Sequence, residues 1–419
     1  MNKVLVIGGG GREHALCWRL KQSPSVAQVF CAGGNAGIAQ DVTCVNLASP
    51  EDVANFCKTE NIALVVIGPE QPLVDGLSDY LRTKNIPVFA PSQKAAQLEA
   101  SKGFMKDICQ KYNIPTATYG FFADKNAALT FLEGKTLPIV VKVDGLAAGK
   151  GVIIAETKKE AIEAVENMFS GEFGATGTKV VIEEFLEGFE ASFFALCDGK
   201  KAVEFGYAQD HKRAYDGDKG PNTGGMGTYS PPPIMTAAIR KEVMEKIINP
   251  TMVAMEKEGA PFTGVLFAGL MLTKDGVKLL EYNVRFGDPE TQSLMMRFDG
   301  DLFQLLLSCA NGEVDKKYIS FTQQAAVCVV MAANGYPAAY EKDSVISGLK
   351  KAGSFPNVKI FHAGTAEKNG EIISVGGRVL GVTALGNTIK EAQENAYRSV
   401  DIIDWKEGFC RRDIAWQAV

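Results

Sequence analysis

Glu281, Asn283 and Arg285, alternate residues of the stretch LLEYNVRFGDPE, carry the densest chemistry in the chain. The run reads as a strand, on which side chains alternate. The three therefore point to one face, and Leu280, Tyr282 and Val284 to the other. A carboxylate, a carboxamide oxygen and a guanidinium side by side suit magnesium held by hard oxygens, with the arginine meeting phosphate oxygens. The competing reading is a solvated strand face with one ion pair, but such a face has little need of an asparagine between its charges.

A second site candidate is the glycine loop KVDGLAAGKG, residues 142–151. It is not a Walker A motif: Gly145 to Gly149 is one residue short, and Gly151 replaces the hydroxyl residue that would hold magnesium. The loop joins two strands and carries Lys142 and Lys150, which predicts a flexible lid over nucleotide phosphates.

The chain opens with another glycine turn, VLVIGGGGREHA. Gly8 and Gly10 fit the dinucleotide fingerprint, but Glu13 occupies its third glycine position, and the second strand, VFCAGGNAG, ends without the acid that would hold a ribose. A nicotinamide cofactor is disfavoured. What survives is a helix start whose free N–H groups at Gly9, Gly10, Gly11 and Arg12 suit one phosphate monoester. A plain tight turn is the alternative. At a later strand end, GPEQPLVDG offers Glu70 to sugar hydroxyls or, alternatively, as a turn cap. Phosphate at residues 9–12 and ribose at Glu70 would suit a phosphoribosyl compound. His14 reads equally as a helix-face histidine or a ligand contact. The polar run QDHKRAYDGDKGPNTGGMG, residues 209–227, is too punctuated by glycine, proline and aromatic residues for disorder, and loops of that length are commonly functional.

The elements that must position these groups alternate at first. Apolar runs at residues 4–7, 29–32, 63–67 and 88–90, separated by helical stretches, predict a doubly wound parallel sheet over residues 1–100. A helix over 101–112 has Phe104, Met105, Ile108, Cys109 and Tyr112 as its apolar stripe, with Lys102 and Lys106 together on another face. Strands at 139–143, 152–155 and 180–184 around a helix near 159–169 predict a small α+β module. Strands at 325–331 and 379–384 with a helix at 390–403 predict a compact last domain. The expected division is 1–100, 101–325 with a lid at about 121–187, and 326–419: a multidomain chain, α/β first and α+β after.

At 419 residues several domains are expected. A net charge of −5 with dispersed basic residues disfavours nucleic acid as a partner. Nine cysteines without a C-x-x-C or regular framework point to reduced, mostly buried thiols, and three scattered histidines to no zinc cluster. No apolar stretch is long enough to span a bilayer and no signal peptide opens the chain, so a cytoplasmic protein without a membrane partner is expected, with no appended domain.

Taken in order, IGGGGREHA, GPEQPLVDG, SKGFMKD, KVDGLAAGKGV, IEEFLEGFEASF, DHKR, GPNTGGMG, EYNVRFGDPETQ and GGRVLGVTALG resemble the ATP-grasp superfamily and, within it, the glycinamide ribonucleotide synthetases. The resemblance covers essentially the whole chain. It implies an N-terminal doubly wound domain, an ATP-grasp core with a mobile lid subdomain, and a small C-terminal domain. The implied activity is a purine-biosynthetic ligase that joins glycine to 5-phosphoribosylamine, with ATP as co-substrate and magnesium or manganese as metal. It further implies that Lys102 and Lys142 contact ATP phosphates while residues 145–151 fold over them. Backbone groups of Glu184, Phe185 and Leu186 would meet adenine, and Glu190 the ATP ribose. Glu281 and Asn283 match the metal ligands, and Arg285 the phosphate-facing arginine. Asp210, Lys212 and residues 223–226 (Thr223, Gly224, Gly225 and Met226) are candidates to steer glycine. Arg378 either completes the phosphate pocket or is an ordinary surface arginine. Superfamily members often carry another acid on the preceding strand; VLFAGLMLT has none, which leaves the ligand set open. A monomer or weak homodimer is expected. The nearest alternative is a sister ligase that carboxylates or formylates a ribonucleotide; an NAD-dependent oxidoreductase and a non-catalytic nucleotide-binding regulator are others.

Overall fold

The computed structural model describes residues 1–146, 151–171 and 179–419. Its first sheet is five-stranded and parallel, in the spatial order Thr43–Val45, Val26–Gly33, Asn2–Gly8, Ile62–Ile67, Val88–Phe89. The inner strands are continuous runs of Val, Leu and Ile because helices cover both faces. The helix Gly11–Leu20 is buried well beyond its expected stripe: Arg12, Glu13 and His14 lie inside because it packs against the helix Glu290–Arg297 and the strand Val358–His362.

Strands Tyr119–Phe122, Ile139–Val143, Val152–Ala155 and Val180–Glu184 form a separate antiparallel sheet. Helices Lys125–Phe131 and Lys158–Phe169 close its core with Ala128, Ala161, Val165 and Met168. Gly149 and Lys150, both expected in the lid loop, lie outside the described residues.

The largest sheet is antiparallel and begins at Gly276–Asn283, followed by Thr263–Thr273, Phe189–Asp198 and Ala202–Asp210. It continues through Gly227–Ser230 into Ala325–Ala333, Arg378–Gly386 and Val358–His362. The last part of the chain thus extends the central sheet across residue 325, although it keeps an apolar core of its own around Val327, Val379, Ala392 and Ile414. All nine cysteines are free thiols and seven are buried. Among the described residues no helix is long and apolar enough to cross a membrane.

Candidate active site

One cavity of about 800 Å³ gathers most of the residues singled out above. Arg12, Glu70, Lys102, Lys142, Gly145, Gly151, Glu184, Phe185, Leu186 and Glu190 line it, as do Asp210, Lys212, Thr223, Gly224, Glu281, Asn283, Arg285 and Arg378. Arg12, just past the opening glycine turn, and Gly145 and Gly151 of the second glycine loop therefore face a shared space.

One wall of the cavity is built on the helix Lys102–Lys111. Ser101 caps it by accepting from the Phe104 N–H, and Asp144 clamps it by accepting from the Gly103 N–H and the Ser101 hydroxyl. Lys102 donates to the Gly145 carbonyl at 3.1 Å. One turn on, Lys106 is fully buried, which the helical pattern did not foretell. Its ammonium lies 3.2 Å from Glu183 and donates to Thr116, and the other oxygen of Glu183 lies 3.0 Å from Lys142. Burial lowers the pKa of both Lys102 and Lys106. Glu183 is a site residue missed by the sequence reading.

Glu281 faces this cluster. Burial opposes its charge, but Lys212, Lys142, Lys102 and Arg285 outweigh burial and hold the carboxyl below its ordinary range. Asn283 accepts from Arg285 at 2.9 Å. Arg285 lies beyond the end of the strand, not on it, and also meets Glu99 at 2.9 Å and Glu70 at 3.4 Å. The expected alternation fails at Leu280. Gly269 pairs with Glu281 but Leu270 pairs with Leu279, so Leu280 is the extra residue of a β-bulge. It turns into the cavity, where it packs with Ala117, Leu186 and Met271 into an apolar wall suited to a flat ring, while Tyr282 and Val284 remain in the core as expected.

For a metal, the residues present fit a nucleotide-bound ion rather than a protein cage. Glu281 and Asn283 offer two hard oxygens amid surplus cations. Among the described residues no three His, Cys, Asp or Glu converge on a point. A divalent ion held there by Glu281 and Asn283 would need further ligands from outside these side chains, which phosphate oxygens and water can supply.

At the opposite end, Arg12 donates to Glu13 and to the Phe286 carbonyl. Here the sequence reading requires correction. Of residues 9–12 only Arg12 lines the cavity. The Gly10 N–H is spent on Glu13 at 2.6 Å, Gly9 packs on the Gly34 backbone, and Gly11 abuts the Gln292 amide. Glu13, in the place of a third glycine, takes the Gly10 N–H within the turn. His14 is structural: it accepts from the His362 N–H and meets Asp41 at 2.9 Å, joining the first sheet to the last domain.

The loop over residues 209–227 supplies the third wall. Lys212 pairs with Glu190 at 2.8 Å; burial works against its charge, yet Glu190 and Glu281 raise its pKa. Burial, reinforced by the Glu290 carboxylate, pushes the Asp210 carboxyl well up. Glu290, accepting from Ser192 at 3.0 Å, is a second residue missed in the sequence. Gly225 turns with φ 112°, and a Cβ there would lie 2.7 Å from Asp210, so the loop wraps that acid only with glycine. Gly225 itself does not line the cavity, its N–H being held by Thr223. Met226 is a clear correction: its side chain is fully buried in the last domain's core, and its backbone bonds His211 and Val330. Arg378 is no surface arginine. It donates to the Gly224 and Asp288 carbonyls and pairs with the Asp288 carboxylate at 3.4 Å.

Comparison with known proteins agrees with this architecture. Family models for the N, ATP-grasp (A) and C domains of phosphoribosylglycinamide synthetase match residues 2–99, 100–291 and 326–417. The phosphoribosylamine–glycine ligase of Brucella melitensis is 54% identical over 419 residues, covering 100% of this chain and 98% of that one. The crystal structure of the Thermotoga maritima phosphoribosylamine–glycine ligase superposes with a TM-score of 0.87 at 34% identity, covering 99% of this chain and 100% of that one. The biotin carboxylase domain of a Hydrogenobacter thermophilus 2-oxoglutarate carboxylase shares the fold at 15% identity, with a TM-score of 0.74 over 98% of this chain and 91% of that one. The chain belongs to the phosphoribosylglycinamide synthetase family of ATP-grasp proteins.

Proposed function

We propose that the chain joins glycine to 5-phosphoribosylamine with ATP, giving glycinamide ribonucleotide, ADP and phosphate in purine biosynthesis. The observation that carries this reading is the single cavity, with paired lysines at one end and Arg12 and Glu70 at the other. A carboxylate activated at the first end can meet an amine held at the second without leaving the protein.

Glycine's carboxylate is a poor electrophile, because its charge repels nucleophiles and oxide is a bad leaving group. Phosphorylation by ATP gives glycyl phosphate, from which phosphate departs as the ribosylamine attacks the acyl carbon. Lys102 and Lys142 balance the charge of the transferring phosphoryl group, and Arg285 meets its oxygens. The wall of Leu186, Met271 and Leu280 takes adenine, with backbone groups of residues 184–186 at its edge and Glu190 at the ribose. Glu281 and Asn283 hold magnesium or manganese, which when bound neutralises phosphate charge. Asp210, Lys212, Thr223 and Gly224 orient glycine. Arg12, Glu70 and Arg378 hold the phosphoribosyl group. Lid closure excludes the water that would hydrolyse the acyl phosphate.

ADP release from the purified chain tests this. It requires glycine and phosphoribosylamine together. Turnover with bicarbonate or formate in place of glycine would move the assignment to a sister ligase.

A further inference from the structure

The strands Arg213–Tyr215 and Lys219–Asn222 form a two-stranded sheet that, among the described residues, pairs with no other strand. Such a hairpin is marginal in water and needs something to dock against. Here the docking contacts come from a segment distant in sequence, residues 409–417. Arg411, whose side chain is fully buried, donates to Asp218 at 2.8 Å, to the Arg213 carbonyl at 3.1 Å and, through two nitrogens, to Asp413 at 2.7 and 2.8 Å. Asp413 in turn accepts from the Gly217 N–H, and Asp216 accepts from the Arg412 N–H. Tyr215 packs near Phe409, with ring centroids 5.9 Å apart.

The same segment reaches the base of the hairpin. Nε2 of buried His211 lies 3.1 Å from the Ala415 N–H and 2.9 Å from the Gln417 side chain, and its Nδ1 lies 3.2 Å from the Gly227 carbonyl. His211 stands between Asp210 and Lys212 in the chain, and Trp416, Gln417 and Asn222 all line the cavity.

We propose that residues 409–417 are a latch that fixes the 211–222 hairpin over the cavity, with Arg411 as its positioning residue for the glycine site. Arg411 touches no substrate; it acts by holding Asp210, Lys212 and Thr223 at a constant distance from Glu281. This rests on the assignment of that loop to glycine. At the nucleotide end the helix Lys102–Lys111 and Leu186 lie outside the latched loop, which meets the nucleotide residues through the Lys212–Glu190 pair. Breaking a buried, fully bonded guanidinium network is costly, and the local opening of the hairpin relieves that cost.

The test uses the full chain with Arg411→Gln, Asp218→Asn and the double variant. Arg411→Gln raises KM for glycine by about tenfold or more and leaves KM for ATP within about twofold. Amide exchange of residues 213–222 quickens while that of 102–111 does not. Asp218→Asn moves both readouts the same way, and the double variant is no worse than Arg411→Gln alone. Should Arg411→Gln fail to fold, Asp218→Asn, at a half-exposed position, still decides. KM values for ATP and glycine rising in step, additive effects, or unchanged exchange of the hairpin would overturn the latch. Exchange is read without substrate, so a wild-type chain that ignores glycine sinks the reaction and not the latch.

Discussion

Replacing Glu183 by glutamine removes the carboxylate that stands between two buried ammonium groups. Its oxygens lie 3.2 Å from Lys106 and 3.0 Å from Lys142, and the Lys106 and Glu183 side chains are 0% and 2% exposed. At an effective dielectric near 20, each pair attracts by about 5 kcal/mol before desolvation is subtracted. Removing one partner of a buried pair costs about 3–5 kcal/mol. Glutamine keeps the volume, and Lys106, whose pKa burial already lowers, can shed its proton. The loss therefore settles near the low end, about 3 kcal/mol, a fall in melting temperature of roughly 6–12 °C for a unit of a few hundred residues. Lys142 also loses the group that aims it into the cavity, so KM for ATP rises by about tenfold. Scanning calorimetry and ADP release over a range of ATP at saturating glycine read both effects. Lys106→Met serves as control, since it leaves the Glu183–Lys142 pair in place: it melts lower but holds KM for ATP within about twofold. A Glu183→Gln protein that melts within about 2 °C of the parent and binds ATP normally would show that the two lysines need no common anchor.

Glu281→Ala lowers magnesium-dependent turnover by roughly a thousandfold while circular dichroism stays unchanged; near-normal rates would refute the metal assignment. Leu186→Ala, which thins the apolar wall, raises KM for ATP by about tenfold and leaves KM for glycine alone; equal effects on both would place adenine elsewhere. Stability falls with acid. Burial holds all three histidines below their ordinary pKa, His211 to about 4 and His362 to about 3. Below about pH 6.5 the unfolded chain takes up protons that the fold refuses, and His211 and His362 each remove up to about 1.4 kcal/mol per pH unit until their folded values are reached. Denaturant midpoints that stay flat between pH 7 and 5 would contradict this.

The lid strands at 139–143, 152–155 and 180–184 were legible to the residue, because short runs rich in Val and Ile have one easy solution between polar flanks. Glu281, Asn283 and Lys142 stood out by residue type and spacing and Lys102 by the resemblance, and the fold brings all four to one cavity. The bulge at Leu280 was not legible. An alternating pattern assumes strict pairing, and the extra residue is fixed by the neighbouring strand. Glu13 could be seen to break a fingerprint but not to take the Gly10 N–H. Glu99, Glu183 and Glu290 were invisible for a common reason: each acts on a partner far off in the chain, as Glu99 does on Arg285 across 186 residues. Met226 erred the other way. Its neighbours in a polar, glycine-rich loop made it look like part of the site, while its own apolar side chain went to the nearest core.

The strength of the signal in residues 281–290 has a physical cause. The chain leaves the central sheet after Asn283, and every part of the molecule meets the ten-residue stretch there. Glu281 and Asn283 face the lysines beneath the lid. Arg285 takes Glu70 and Glu99 from the first domain and its exit, and the Phe286 carbonyl takes Arg12. Asp288 receives Arg378 from the last domain, and Glu290 lies beside Asp210 at the root of the latched loop. Such a crossing leaves little freedom of residue type, because each position must satisfy a different partner within one cavity. On the proposed mechanism the two ends of the cavity exchange an activated group only if a rigid wall sets their separation, and this stretch is the element proposed to do so. Loosening it at Asp288, which pairs with Arg378 and accepts from Gln292, should therefore slow transfer to the amine more than it slows consumption of ATP. The excess ADP formed per ligated product measures that uncoupling directly, and a ratio that stays at one would mean that some other element sets the distance.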